Sequence, residues 1–200
     1  MATLWKSGAL DDWRSALDSY AAVVARQGSE KLVEIDRWYR EELPAAIAGR
    51  RRRHVTLAEL AKLTEWKMLR GVWRARNLAL VRGNDAALVI ETSSVALAQA
   101  PHPTAPIKAL AVLAGVGPAT ASAVAAAASP DVYPFFDELV GAQVPRLGTV
   151  AFTLGYYARY ADAVRERAAT LGGRWSPVMV ERALWAHVGG KAGTAALDGD

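Results

Sequence analysis

Apolar positions recur at helical spacing along most of the chain. Leu10, Trp13, Leu17, Tyr20 and Val24 follow an i, i+3, i+4 rhythm, which predicts an amphipathic helix over residues 9–26. Gly28-Ser29 separates it from a second helix that offers Leu32, Ile35 and Tyr39 to a core and runs to Pro44. "GRRRRH", residues 49–54, reads as a solvated linker whose arginines add non-specific attraction for phosphate. Thr56-Leu57-Ala58-Glu59 has capping-box spacing, so a helix starts there; its apolar period carries it to about Val81, ending near Gly83. Asn84 then caps a helix from Asp85 to about Ala98. "PHPTAP", residues 101–106, cannot be helical throughout and reads as a connector. A short helix follows to Ala114, then the turn Gly115-Val116-Gly117, then a helix from Pro118, where the missing N–H of proline costs nothing. Further helices are predicted over Val150–Leu171 and from Ser176-Pro177 to near Val188.

No strand-like alternation persists and no internal repeat is present, so the class is all-α, with about eight to ten helices. The expected organisation is one domain over residues 1–190. It comprises a helical lobe around 1–100, a turn-bearing segment at 105–140, closing helices at 145–190, and a flexible tail at 191–200.

Composition narrows the chemistry. The 200 residues are 52% hydrophobic with seven Trp, enough for a sizeable core. Lys plus Arg is 24 against 20 Asp plus Glu, a net +4 that permits a polyanionic partner without requiring one. With no cysteine there is no disulfide, thiolate zinc site or cysteine-ligated iron–sulfur cluster. His54, His102 and His187 lack metal-ligand spacing, and no cofactor is expected. The N-terminal residues lack a secretory pattern and no apolar run is long enough to span a bilayer, so the expected setting is soluble and cytoplasmic.

The turn carries the most specific signal. Leu113, Gly115-Val116-Gly117 and Thr120-Ala121 stand at the spacing L-x-G-V-G-x-x-T-A, and small residues on the second helix, Ala119, Ala121, Ser122 and Ala125, let the paired helices approach closely. An ordinary αα-hairpin has the same outline. The glycines leave backbone N–H groups uncovered beside a helix N-terminus, an arrangement that holds a phosphate without reading sequence. Counting Gly115 as the first residue, Asp137 is the twenty-third. An aspartate there serves equally as a helix N-cap.

These residues resemble the helix-hairpin-helix superfamily of DNA glycosylases. The match covers Gly115, Val116, Gly117, Thr120, Ala121, Val124 and Asp137, together with the closing "VERALWAHVG" at 180–189. The resemblance implies a helix-hairpin-helix glycosylase-like bundle that binds DNA through the hairpin and excises a modified base in DNA repair. Asp137 is then the catalytic acid, with Glu138 beside it. Bifunctional members carry a Schiff-base lysine where this chain has Ala119, so the implied hydrolase is monofunctional. Phe136-Asp137-Glu138 also departs from the usual valine-aspartate-small residue run.

Cleaving an N-glycosidic bond builds an oxocarbenium-like sugar, which an ionised carboxylate stabilises. The base must leave the stack and enter a lined pocket. Trp66, Tyr133 and Phe136, with Phe135 and Trp73, are the candidates for that lining, although aromatics of an all-α chain commonly serve the core.

A second signal is "EWKMLRGVWRAR", residues 65–76. Lys67, Arg70 and Arg74 stand at i, i+3 and i+7, a basic helical stripe suited to a phosphate backbone or to pairing with nearby acids. Gly71 interrupts a good helix at a cost of about 1 kcal/mol, which a close backbone approach would explain. The Trp-Lys…Arg-Gly…Arg pattern, with "GVGPATAS" and "FFDE", is similar to a poorly characterised bacterial and fungal branch of helical proteins. Two other readings stay open: a non-catalytic nucleic-acid-binding module, and an N-glycosidase acting on a nucleotide or nucleoside.

Overall fold

The computed structural model describes residues 3–195, and among these every regular element is helical. After a 3-10 turn at Leu4–Lys6 come α1 (Leu10–Asp18), α2 (Tyr20–Arg26), α3 (Glu30–Arg37) and, beyond a π turn, α4 (Leu43–Gly49). There follow α5 (Leu57–Arg70), α6 (Ala75–Arg82), α7 (Ala86–Leu97), α8 (Ala105–Leu110) and α9 (Pro118–Ala128). The chain closes with α10 (Glu138–Gly141), α11 (Leu154–Leu171), α12 (Pro177–His187) and α13 (Gly190–Ala195). No described helix is long and apolar enough to cross a membrane.

Several predicted boundaries shift, each for a local reason. The helix over 9–26 bends at Ser19, whose hydroxyl donates to the Ala16 carbonyl, a back-bond that competes with the helical ladder. The second helix does not stop at Pro44. The Leu43 N–H reaches back to the Trp38 carbonyl, and after this wide π turn Pro44 sits in the first turn of α4, where its missing donor is harmless. The segment predicted as one helix from 57 to about 81 is two: α5 ends at Arg70, and α6 starts after Gly71–Arg74. Gly71 is the C-cap of α5, and a Cβ there would meet only the Lys67 carbonyl, at 3.6 Å. It ends a helix; no close neighbour demands it.

Asp85, not Asn84, caps α7 through the Leu88 N–H. Asn84 is a clip: its amide donates to the Ala114 carbonyl and accepts from the Ala114 N–H, both at 2.9 Å, tying the α6–α7 turn to the hairpin. The segment predicted to start at Val150 begins at Leu154 with Thr153 as N-cap. Of the expected flexible tail at 191–200, residues 191–195 belong to α13, which Gln27 anchors by accepting the Ala192 N–H; residues 196–200 lie outside the described residues. The arginine linker is bound rather than merely solvated. Arg50 pairs with Glu59, Arg52 grips Glu91 with both terminal nitrogens, and Arg53 donates to the Ala128 and Leu97 carbonyls at the ends of α9 and α7.

α9 is the centre of the bundle. Every residue from Ala119 to Ala127 is buried, which its all-round apolar sequence requires. α4, α5 and α8 pack against it. Its small side chains let these neighbours approach closely, and Tyr39 donates across to the Ala123 carbonyl. α12 packs on α1, α2, α10 and α11, so the first and last helices interleave.

Candidate functional site

The capping box at Thr56–Glu59 forms as expected and fixes the start of α5. Along α5, Arg70 lies four residues after Trp66 and seven after Leu63, both fully buried. It therefore shares their phase and points into the core, 1% exposed. There its guanidinium donates to Glu181 Oε1 at 2.6 Å and to the Tyr20 hydroxyl at 3.3 Å, and stands 3.4 Å from Asp137 Oδ2. The rings of Trp185, Trp66 and Phe135 surround it at 4.5 to 5.2 Å. Its Nε has no hydrogen-bond partner. Asp36, also buried, completes the layer by accepting from Tyr20, Trp66 Nε1 and Arg40.

Asp137 is held from three helices. The Phe135 carbonyl accepts from Tyr160 of α11, and the Phe136 N–H donates to Ser122 of α9. Asp137 itself caps α10, its Oδ1 accepting the Leu139 N–H at 2.9 Å. The same residue, 7% exposed, also lines a cavity of about 490 Å³, within the size range of small-molecule sites. Capping and facing the cavity are not alternatives here.

The cavity gathers much of what the sequence singled out. Lys67, Arg70 and Arg74 line it together with Gly117, Thr120, Phe136, Asp137 and Glu138. The basic residues do not form a stripe, because α5 ends between them. Lys67 stands on α5, Arg70 is buried, and Arg74 is exposed at the start of α6. Lys67 makes no hydrogen bond or ion pair with a described residue. Gly115 and Val116 do not line the cavity. Gly115 has φ +75°, and a Cβ there would lie 2.5 Å from the Asn77 carbonyl and 2.9 Å from the Val81 N–H, so it seats the hairpin on α6. Val116 is buried in the core. Gly117 has no atom within 4 Å of its would-be Cβ and opens the N-terminus of α9 to the cavity.

Two of the three aromatic candidates lie elsewhere. Trp66 stacks on Tyr39, 3.6 Å between centroids, beneath the cavity. Tyr133 is buried and donates to the His102 carbonyl. Phe136 remains in the wall, with Phe135 and Phe152. Trp73 stands 49% exposed in the α5–α6 loop.

Burial raises the Asp137 carboxyl above its usual range, opposed chiefly by the Arg70 charge. Burial also lifts Glu181 to about 7 against the attraction of Arg70, with the charge of Asp137 pushing the same way. For Lys67, burial and then the like charge of Arg74 pull the ammonium below its usual range, while Asp137 pulls it up. Glu181 takes the short bond from Arg70 and leaves Asp137 the long one.

Glu181 and Ser122 were missed as site residues. Glu181 falls three after Val178 and four before Trp185, on an otherwise apolar face, and that misplaced charge was its available signal. Ser122 was read only as small, and nothing in the sequence marks its bond to Phe136. Comparison with family models, curated proteins and solved structures finds no match for this chain.

Proposed function

We propose that the protein is a DNA N-glycosylase of the helix-hairpin-helix kind, with Asp137 as the carboxylate that stabilises the sugar cation. One observation carries the reading. A nearly buried carboxylate, the open N-terminus of an eleven-residue helix and a lysine that makes no hydrogen bond or ion pair with a described residue meet in one cavity with an aromatic wall. The helix end and Lys67 attract a backbone phosphate. The cavity takes a base turned out of the stack, with Phe136 in its wall. Asp137 stabilises positive charge at C1′ as the base departs. Ala119, in the cavity lining, leaves α9 itself without an amine.

The second reading, a binding module without chemistry, is favoured by the engagement of both Asp137 oxygens, one by the Leu139 N–H and one by Arg70. A panel of duplexes, each with one damaged base, separates the two. The enzyme releases free base, and Asp137→Asn lowers the rate by about 10²–10³-fold, the usual cost of removing one electrostatic stabiliser. Duplex binding without release, unchanged in Asp137→Asn, supports the module and overturns the enzyme. Release from a free nucleoside alone moves the chemistry to a small substrate.

A further inference from the structure

One guanidinium serves two carboxylates. Arg70 Nη2 donates to Glu181 Oε1 at 2.6 Å and stands 3.4 Å from Asp137 Oδ2, and all three side chains are buried. The two acids are not equivalent: Asp137 lines the cavity, whereas Glu181, on α12, does not. The guanidinium is also incompletely used. Its Nε is buried without a hydrogen-bond partner, and a buried donor left unpaired is rare and costs free energy. Nε and Nη2 form one edge of the group, the fork that arginine offers a carboxylate bidentately. A spare donor on that edge and a long contact at its end mark a grip on Asp137 that is only half made. A movement of about 0.6 Å brings the contact to the usual charge-assisted length of about 2.8 Å. With one cation between two acids, a tighter hold on either loosens the hold on the other.

We propose that Glu181 is a positioning residue for Asp137: by holding Arg70 it keeps the guanidinium from closing on Asp137, and so leaves the Asp137 carboxylate available to the cavity. Its bearing on catalysis rests on the glycosylase reading above. An Asp137 gripped by both Nε and Nη2 has its charge compensated at contact distance and does less for a sugar cation. Loss of the Glu181 charge, by substitution or by protonation, releases Arg70 toward Asp137. Glu181 is faced by Arg70 of α5, Asp137 at the head of α10, Tyr20 of α2, Tyr39 of the π turn, Tyr160 of α11 and, from its own helix, Arg182. Burial holds the three phenols above their usual range, so they stay neutral while Glu181 titrates. Beyond this ring, Asp36 bears on Arg70 and Lys67 on Asp137. Burial raises Glu181 to about 7, so its proton arrives near neutrality. As pH falls through that value Glu181 becomes neutral, Arg70 turns to Asp137 and the site is muted; as pH rises the Glu181 charge returns and Asp137 is freed.

Carboxyl-carbon NMR of the full chain across pH tests this, with Asp137→Asn assigning the Asp137 signal. In the parent that signal should carry an inflection at the Glu181 midpoint, because the two acids share one counter-ion. In Glu181→Gln the inflection disappears, and the Asp137 midpoint falls by about 1–3 pH units as Arg70 closes on it. With the panel of damaged duplexes, base release above the Glu181 midpoint falls by about 10–100-fold in Glu181→Gln, part of the cost of losing the stabiliser outright. The acid limb that the parent shows at that midpoint is absent from the variant. Slower release in a folded Glu181→Gln whose Asp137 midpoint has not moved is a structural effect and overturns the proposal. A parent Asp137 signal without the inflection overturns it as well, and that result needs no variant. A lowered Asp137 midpoint with unchanged base release overturns the positioning role and leaves the glycosylase reading standing. A lowered midpoint with no base release from any duplex overturns the glycosylase reading and keeps the hold of Glu181 on Arg70.

Discussion

Replacing each glycine of the hairpin by alanine gives opposite outcomes. At Gly115 an alanine would need φ +75°, a left-handed conformation that costs about 1–2 kcal/mol for a residue with a side chain. Its Cβ would also press at 2.5 Å on the Asn77 carbonyl and at 2.9 Å on the Val81 nitrogen. Both belong to the α6 backbone, so the conflict is relieved only by moving the helix, at about 1–3 kcal/mol for overpacking. Gly115→Ala should therefore lose roughly 2–5 kcal/mol, with a central value near 3 lowering Tm by about 6–12 °C for a chain of this size. At Gly117 φ is −93° and nothing lies within 4 Å of a new Cβ. Alanine is a poorer N-cap than glycine but restricts the unfolded chain, so the net change should stay within about 1 kcal/mol. Urea melts followed by circular dichroism measure both. On the proposed DNA-binding reading, duplex binding at low salt adds the functional half: Gly117→Ala should weaken binding by putting a methyl group at the helix N-terminus, whereas Gly115→Ala should bind as the parent does at temperatures where it is folded. Equal melting losses for the two variants would refute this division of labour.

Three further outcomes follow from the buried layer and the caps. Arg70→Met strands Glu181 and should cost about 3–5 kcal/mol, whereas Arg70→Met combined with Glu181→Met should recover much of that in a double-mutant cycle. Glu181 is raised from 4.5 to about 7 in the fold, so the stability its protonated form contributes is complete below pH 4.5 and is lost as pH rises through about 7. The amount is on the order of 3 kcal/mol, and urea titrations at matched ionic strength should show the decline in the native protein and a flatter profile in Glu181→Gln. Asp85→Ala should cost about 1 kcal/mol by removing the α7 cap, and Asn84→Ala should loosen the hairpin clip without affecting that cap, as read by hydrogen exchange at the Ala114 amide.

Helical period and turn chemistry made the element order legible in the sequence, because each amphipathic stripe was long enough to show its phase. Boundaries slipped where a single bond overrode the pattern, as at Ser19 and at the π turn before Pro44. The cavity was half legible. Asp137, Lys67 and Gly117 were found because their residue types stand out against their surroundings. Arg70 was set in one basic stripe with Lys67 and Arg74 because spacing between charges was weighed above its spacing from Leu63 and Trp66; of the two uses given for that stripe, pairing with acids is the one Arg70 meets, at Glu181. Glu181 escaped for the complementary reason, since its partner lies 111 residues away and no local pattern joins them. Trp66 and Tyr133 illustrate a third limit. Composition reports that aromatics are present, but only packing decides whether a ring lines a cavity or lies beneath it.

The sealing of α9 has an electrostatic consequence. A helix bathed by water loses much of its axial field through its sides, but this one is sheathed along its length by hydrocarbon, where the effective dielectric is low. Its negative pole is not left bare: Arg53 donates to the Ala128 carbonyl at that end. The positive pole, at Gly117, opens into the cavity. α9 thus behaves as an insulated conductor with one terminal grounded and the other live. Much of its field emerges where Lys67 and Arg74 already stand, so the helix itself draws an anion toward Asp137 without adding a charge to the chain's modest net +4.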